Sequence, residues 1–185
     1  MLRTLAILLL AITPLAHAQL INRVNVYGTA GKSMTNWHGQ ADLATVNFEF
    51  DHAISPRWEF GVALAPMTIE QPRSWFGNEF GEGNEKVQAI GTALIARRNF
   101  FTDSARASMY VEISSGPMWS EKRVPASTSH FNFLSSGGVG VVLRPQQRYP
   151  VIVGVRFGHI SNGGYSDRNP GLNISSLVIG TRFRR

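Results

Sequence analysis

The chain of 185 residues contains no cysteine. This absence excludes disulfide bonds, thiol nucleophiles and cysteine-based zinc sites. The spacing of His38, His52, His130 and His159 is not that of metal ligands, so we expect no metal and no other cofactor. Stability must therefore come from packing, or from lipid around the chain.

Long apolar runs and helical periodicity are also missing. Residues 1–18 combine the basic Arg3, an apolar stretch and the small residues around Ala18, which is the pattern of a cleaved secretory signal. The apolar stretch is too short to span a bilayer, and no later segment approaches the roughly 20 apolar residues of a transmembrane helix. We expect export, cleavage near Ala18, and a single domain over 19–185.

Charged residues are sparse, at 16%, and the formal net charge is +6. A basic exported chain suits nucleic acid or an anionic surface such as a phosphorylated glycolipid. The Gly-rich stretch 135–138 lies within a predicted strand and does not precede a helix, so it is not a phosphate loop. We therefore expect a membrane partner and no nucleic acid.

The chain is rich instead in segments that alternate with a period of two, the pattern of half-exposed strands. In the second segment, for example, Val46, Phe48 and Phe50 share one face. Several segments reach the ~9–11 residues that a tilted strand needs to cross hydrocarbon. The pattern predicts eight strands, over 22–30, 43–52, 57–66, 87–98, 107–116, 132–143, 150–160 and 174–183.

Long and short connections alternate along the chain, as they do in outer-membrane barrels. The long ones cover 31–42, 67–86, 117–131 and 162–173, and the short ones 53–56, 99–106 and 144–149. We predict an all-β fold, an eight-stranded antiparallel transmembrane barrel whose interior is filled by side chains. The charges predicted to pair inside it are Glu49, Glu59, Glu112, Arg57, Arg156 and Arg182.

A histidine and a serine lie two positions apart near the end of the seventh predicted strand. His159 and Ser161 therefore project from one face, close enough for the imidazole to accept a proton from the hydroxyl. The same face carries Val153 and Phe157, so it is the face predicted to meet lipid. A base and nucleophile in that place suit an ester carried by a membrane lipid.

The segment that begins at His159 and continues to Asn173 also resembles a known family. His-x-Ser-Asn-Gly at 159–163, followed by Asn-Pro-Gly-x-Asn at 169–173, is similar to the C-terminal signature of the lipid A 3-O-deacylases, the PagL-type outer-membrane esterases. The resemblance implies an eight-stranded barrel with a Ser-His-Glu triad. It also implies hydrolysis of the ester-linked 3-hydroxyacyl chain at position 3 of lipid A, within lipopolysaccharide.

Carried over by position, Ser161 resembles the nucleophile and His159 the general base. Asn162 resembles a contributor to the oxyanion hole, together with backbone N–H groups of Gly163 and Gly164. Asn173 stands where the family has its glutamate. An amide can orient an imidazole through its carbonyl oxygen, but it stabilises the charged ring poorly.

Three hypotheses follow from this departure. Asn173 orients the base of a slower enzyme, Asp167 in the adjacent loop takes the acidic role, or catalysis is weak. A non-enzymatic barrel with a structural or loop-mediated binding role is the competing interpretation. The sequence leaves open whether the chain forms a homodimer.

Overall fold

The computed structural model describes residues 21–34, 40–74 and 81–184. The signal predicted over 1–18 lies outside the described residues. In the described part of the chain, no helix is long and apolar enough to cross a membrane. Eight strands are present: β1 (Arg23–Ser33), β2 (Asp42–Ala53), β3 (Trp58–Pro72), β4 (Asn84–Phe100), β5 (Ala107–Ser120), β6 (Phe131–Leu143), β7 (Val151–Ser161) and β8 (Leu172–Arg184).

The eight strands form one closed antiparallel barrel, which confirms the predicted fold class. Each strand pairs with the next along the chain, and β8 closes the barrel against β1. The connections 54–57, 101–106 and 144–150 lie at one end, with the start of β1 and the end of β8. We call this the turn end, and the opposite end, with the longer connections, the loop end.

The apolar face of the alternating strands points outward. Phe157 is 53% exposed and Leu177 69% exposed, although both are large apolar side chains. A soluble barrel would bury such residues, whereas a barrel in lipid exposes them. The outward face is therefore the surface that contacts hydrocarbon.

The interior of the turn-end half is filled by an ion cluster centred on Arg97. Its guanidinium contacts carboxylate oxygens of Glu49 at 2.6 Å, Asp51 at 3.1 Å, Glu59 at 3.2 Å and Glu112 at 2.6 Å. Further members complete the cluster, because buried charges are tolerated only when paired and hydrogen-bonded. They are Arg23, Arg156 and Arg182, with Asn25, Tyr27 and Asn99 as neutral partners.

One member of the predicted interior set was wrong. Arg57 is exposed in the 54–57 connection, because β3 begins only at Trp58 and Arg57 precedes the alternation. Its backbone carbonyl accepts a hydrogen bond from the N–H of Asn99, but its side chain lies outside the barrel. Arg97 occupies the central position instead.

The loop-end half of the interior is apolar, so the alternation reverses along single strands. In β3, Met67 and Ile69 point inward, 4% and 0% exposed, while Thr68 and Glu70 point outward. A strand with its polar face outward behaves as in a soluble barrel. The reversal explains why β3, β4 and β5 extend beyond their predicted limits at the loop end of the barrel. The buried cluster comprises Ala41, Leu43, Ala65, Met67, Ile69, Val87, Ala89, Met118, Val124, Ala126, Ile160, Leu172 and Ile174.

Two glycines on neighbouring strands make room for an interior ring. Gly140 and Gly154 are neighbours across β6 and β7, and Tyr110 is the partner of Gly140 on β5. A Cβ at Gly140 would lie 2.4 Å from the phenol oxygen of Tyr110, and one at Gly154 would lie 2.8 Å from it. The inward positions are glycine because the Tyr110 ring occupies that space.

The connection 121–130 folds back over the loop end of the barrel. Val124 and Ala126 are buried in the apolar cluster, and the carbonyl of Arg123 accepts a 2.8 Å hydrogen bond from Gln71 Nε2. The carbonyl of Thr128 accepts one from the hydroxyl of Ser166, at 3.4 Å. This connection therefore covers the mouth and touches the β7–β8 loop.

Candidate active site

The β7–β8 hairpin brings His159 and Asn173 together on the outward face. The two residues are direct partners in the strand register, and both side chains are exposed. His159 Nδ1 lies 2.7 Å from Asn173 Oδ1. A carbonyl oxygen only accepts hydrogen bonds, so Nδ1 donates and Nε2 keeps a lone pair that can accept a proton.

Ser161 lies two residues further along β7 on the same face. It is partly exposed and pairs with Phe133 of β6. Within residues 81–184 no hydrogen bond joins His159 to Ser161. Contacts between base and nucleophile are often long without substrate and tighten in the complex. The structure thus places the two groups on one face, and their catalytic roles stay a prediction.

The loop 162–171 is organised around the buried side chain of Asn162, which is 1% exposed. Its Nδ2 donates to the carbonyl of Arg168 at 2.9 Å, and its Oδ1 accepts from the N–H of Gly164 at 2.9 Å. The N–H of Asn162 donates to Asn169 Oδ1 at 3.1 Å. Of the N–H groups predicted for the oxyanion hole, only that of Gly163 lacks a partner in the described chain.

Gly171 packs against the edge of the imidazole. Its φ is +67°, and an added Cβ would lie 2.5 Å from Cε1 and 3.2 Å from Nε2 of His159. A side chain here would displace the ring, and the positive φ also favours glycine. The imidazole can take this position only because residue 171 has no side chain.

His159 and Asn173 belong to a longer row of polar side chains on the apolar outward face. Ser115 on β5 pairs with Ser135 on β6, Ser135 with His159 on β7, and His159 with Asn173 on β8. The hydroxyls of Ser115 and Ser135 are 2.8 Å apart and hydrogen-bonded. We call these four residues the polar row.

An open groove of about 550 Å³ lies beside this row. Ser135, His159 and Asn173 contribute to its walls, together with Gly137 and Phe157. A cluster of aromatic rings stands near Ser161, with centroids 5.4 to 6.5 Å apart; its members are Phe131, Phe133 and Tyr165. The site is therefore a polar strip within an apolar, outward-facing surface.

Asp167, the alternative acidic partner, is exposed in the loop. No hydrogen bond or ion pair joins it to His159 within residues 81–184. His159 Nδ1 donates its hydrogen bond to Asn173 Oδ1 instead, so the geometry favours the hypothesis in which Asn173 orients the ring.

The family comparison agrees with this arrangement. The model of the family described as "Lipid A 3-O-deacylase (PagL)" matches residues 17–182. The chain belongs to the lipid A 3-O-deacylase family. It is accordingly a carboxylic ester hydrolase of the outer membrane that acts on lipid A.

Solved structures share the barrel fold with this family member. The outer membrane enzyme PagL is 16% identical with a TM-score of 0.58, over 87% of this chain and 99% of that one. Neisserial surface protein A is 13% identical with a TM-score of 0.58, over 88% and 96%. The N-terminal barrel of Pseudomonas aeruginosa OprF is 12% identical with a TM-score of 0.51, over 88% and 98%. No curated protein sequence gives a significant match.

Sequence reasoning missed three features of this family member's site. Gly171 was given no role beyond its place in the motif 169–173, although it packs on the imidazole. Ser115 and Ser135 were not singled out. A signal for Ser115 was present, because it follows Met109, Val111 and Ile113 in the phase that faces lipid, where a hydroxyl is out of place.

Proposed function

We propose that this deacylase removes the ester-linked 3-hydroxyacyl chain from position 3 of lipid A, with Ser161 as nucleophile and His159 as general base. The observation that carries the proposal is the 2.7 Å hydrogen bond from His159 to Asn173 on the outward face, two residues from Ser161. The bond fixes the tautomer that leaves Nε2 as the base.

The proposed reaction has two steps. His159 Nε2 accepts the proton of Ser161, and the Ser161 oxygen attacks the ester carbonyl carbon. The tetrahedral intermediate expels the sugar oxygen, which receives that proton from His159. Water then attacks the acyl-serine, with His159 again accepting and returning a proton, and a free 3-hydroxy fatty acid leaves.

The oxyanion of each intermediate needs a donor nearby. The N–H of Gly163 is the candidate, because Asn162 and Gly164 already use theirs within the loop. Asn162 then acts as the organiser that holds Gly163 in place. Removing one oxyanion donor in a serine hydrolase typically lowers turnover by ~10²–10³.

The location of the site supports a lipid substrate. His159 and Ser161 lie toward the loop end of β7, where the outward surface changes from apolar to polar. With the loop end outside the cell and a signal cleaved near Ala18, the site lies where outer-leaflet acyl chains join their sugars. An ester at that depth reaches Ser161 without leaving the membrane.

The test uses purified protein in detergent micelles with lipopolysaccharide, and measures released 3-hydroxy fatty acid. We expect release by the wild type, and its loss in Ser161→Ala and in His159→Ala. Ser175→Ala is the matched control, since Ser175 is a partly exposed hydroxyl on the adjacent strand opposite Phe157. It should keep wild-type activity.

Two results would contradict the proposal. Undiminished release by Ser161→Ala would exclude this serine as nucleophile. Release of a fatty acid from another position of lipid A would exclude the assigned specificity. Mass spectrometry of the remaining lipid A identifies the position.

A further inference from the structure

The pair Ser115–Ser135 is an unusual feature of a membrane-facing wall. Both side chains are in the outward phase of strands whose other outward residues include Ile113 and Val139. A hydroxyl in an apolar environment is unfavourable unless it is hydrogen-bonded. The pair satisfies part of this need internally, through its 2.8 Å hydrogen bond.

The pair retains unused hydrogen-bonding capacity. Two hydroxyls have two protons and four acceptor lone pairs, and one bond between them uses one of each. Neither hydroxyl makes another hydrogen bond in the described part of the chain. The pair can therefore donate one further bond and accept others, which matches a ligand hydroxyl.

The position of Ser135 limits which ligand group it meets. Ser135 is the direct partner of His159 and the diagonal neighbour of Ser161, whose own partner is Phe133. Direct partners have Cβ atoms ~4.5–5.5 Å apart, and diagonal neighbours lie ~7–8 Å apart. If the carbonyl carbon of an acyl chain lies at Ser161, the first few carbons of that acyl chain therefore lie beside Ser135.

We infer that the Ser115–Ser135 pair is a recognition site for the 3-hydroxyl group of the scissile acyl chain. This inference rests on the proposed function, because the chain must be held with its carbonyl at Ser161. The hydroxyl is on the third carbon of the chain, and that carbon is two carbon–carbon bonds from the carbonyl carbon. The groove beside Ser135 receives the remainder of the chain.

The hydroxyl pair then determines specificity. A site built to hydrogen-bond a substrate hydroxyl disfavours the analogue that lacks it, because its own polar groups are left unpaired. We expect esters of 3-hydroxy fatty acids to react faster than esters of the unsubstituted acids. Ser135 should make the larger contribution to this preference, and Ser115 a smaller one.

The experiment compares two synthetic glucosamine-based lipid A analogues in detergent micelles. One carries a 3-hydroxydecanoyl ester at position 3 and the other a decanoyl ester. For the wild type we expect kcat/KM for the hydroxylated ester to be about tenfold higher or more. Ser135→Ala should bring the ratio close to one by slowing the hydroxylated ester, and Ser115→Ala should lower it partly.

Two controls separate recognition from general damage. Ser175→Ala keeps the pair intact and should keep the wild-type ratio. Ser135→Thr retains the hydroxyl and should restore most of the preference.

Each remaining outcome decides the question. Equal rates on both esters in the wild type would overturn the inference and leave the proposed function intact. An equal loss on both esters in Ser135→Ala would also overturn it and assign Ser135 to positioning His159. Hydrolysis of neither ester by the wild type would overturn the proposed function as well.

Discussion

In the proposed mechanism, the amide at Asn173 limits how well a positive charge on His159 is stabilised. Its Oδ1 holds the Nδ1 proton at 2.7 Å, so the ring has a fixed tautomer. When Nε2 accepts a proton the ring becomes a cation, and a neutral amide stabilises that cation less than a carboxylate does. Tautomer control is therefore present at this position, while charge stabilisation is weak.

Asn173→Asp should increase turnover. The two side chains have the same shape, so the hydrogen bond to Nδ1 is kept and a negative charge is added beside the developing imidazolium. We expect kcat on lipopolysaccharide to rise by about tenfold or more, because the carboxylate of a triad stabilises the imidazolium that forms. Asn173→Leu, which removes the acceptor, should be slower than wild type. Equal rates for Asn173→Leu and wild type would show that the contact is unused.

Gly171→Ala should reduce activity through a collision with His159. The new Cβ would lie 2.5 Å from Cε1, and the backbone is in the left-handed region. We expect kcat to fall by about tenfold or more, because small misplacements of catalytic groups have effects of this size. The matched control is Gly83→Ala, where φ is +89° and nothing lies within 4 Å of the added Cβ. If both variants keep full activity, the contact does not position the ring.

At the scale of single elements, β3 passes through two environments. Between Trp58 and Leu64 its apolar side chains point outward, and from Met67 onward they point inward. The strand keeps its period of two throughout, and only the environment of each face is exchanged. The exchange marks the level at which the barrel leaves the hydrocarbon.

Lysine substitutions on the outward face of β3 should measure this level. Val62 is 49% exposed within the apolar belt, whereas Thr68 lies beyond the reversal on the same face. Val62→Lys should lower the free energy of unfolding by about 2–4 kcal/mol, and Thr68→Lys by about 0–1 kcal/mol. Urea unfolding in lipid vesicles, followed by tryptophan fluorescence, gives both values. Equal effects would contradict the assigned depth.

The same reversal shows how far the sequence predicts this fold. The outward residues Val46, Phe48 and Phe50 are apolar and alternate with buried polar ones, and β2 was predicted within a residue at each end. β3 was predicted to end at 66 but continues to Pro72, because an inverted pattern looks like the end of an amphipathic strand. Where a strand passes from lipid to water, the periodicity of its sequence alone does not show where the strand ends.

The candidate site likewise has features that the sequence predicts and features that it does not. The shared face of His159 and Ser161 follows from spacing within one strand, so the sequence predicts it. The neighbours of His159 depend on strand register and on the path of a loop. Ser135 is adjacent through the β6–β7 register, and Gly171 reaches the ring through the loop 162–171. Neither relation can be obtained from local pattern.

At the scale of the whole molecule, Arg97 connects strands that are distant in sequence. Its four carboxylate partners come from β2, β3 and β5, so a single side chain joins the interior of half the barrel. Removing one partner from a buried ion network leaves the others uncompensated, which is strongly unfavourable. The turn-end half should therefore depend on this residue for stability.

Arg97→Met should lower the free energy of unfolding by about 3–5 kcal/mol. The matched control is Arg98→Met, since Arg98 is the next residue, faces outward and stacks near the ring of Trp58. It should change stability by less than about 1 kcal/mol, which is the size of an exposed cation–π contact. Heat-dependent mobility on gels and urea titration in micelles both measure the difference. A stable Arg97→Met barrel would show that the network can rearrange.

The filled interior has a consequence for the cell envelope. Ion pairs occupy one half of the lumen, apolar side chains the other, the connection 121–130 covers the mouth, and the cavity between them is only about 50 Å³. In the part of the chain that the structure describes, the lumen therefore offers small hydrophilic solutes no route through the barrel. Bacteria that lose or overproduce it should keep the same uptake of nutrients and of small antibiotics through porins, and any change in drug susceptibility would trace to altered lipid packing.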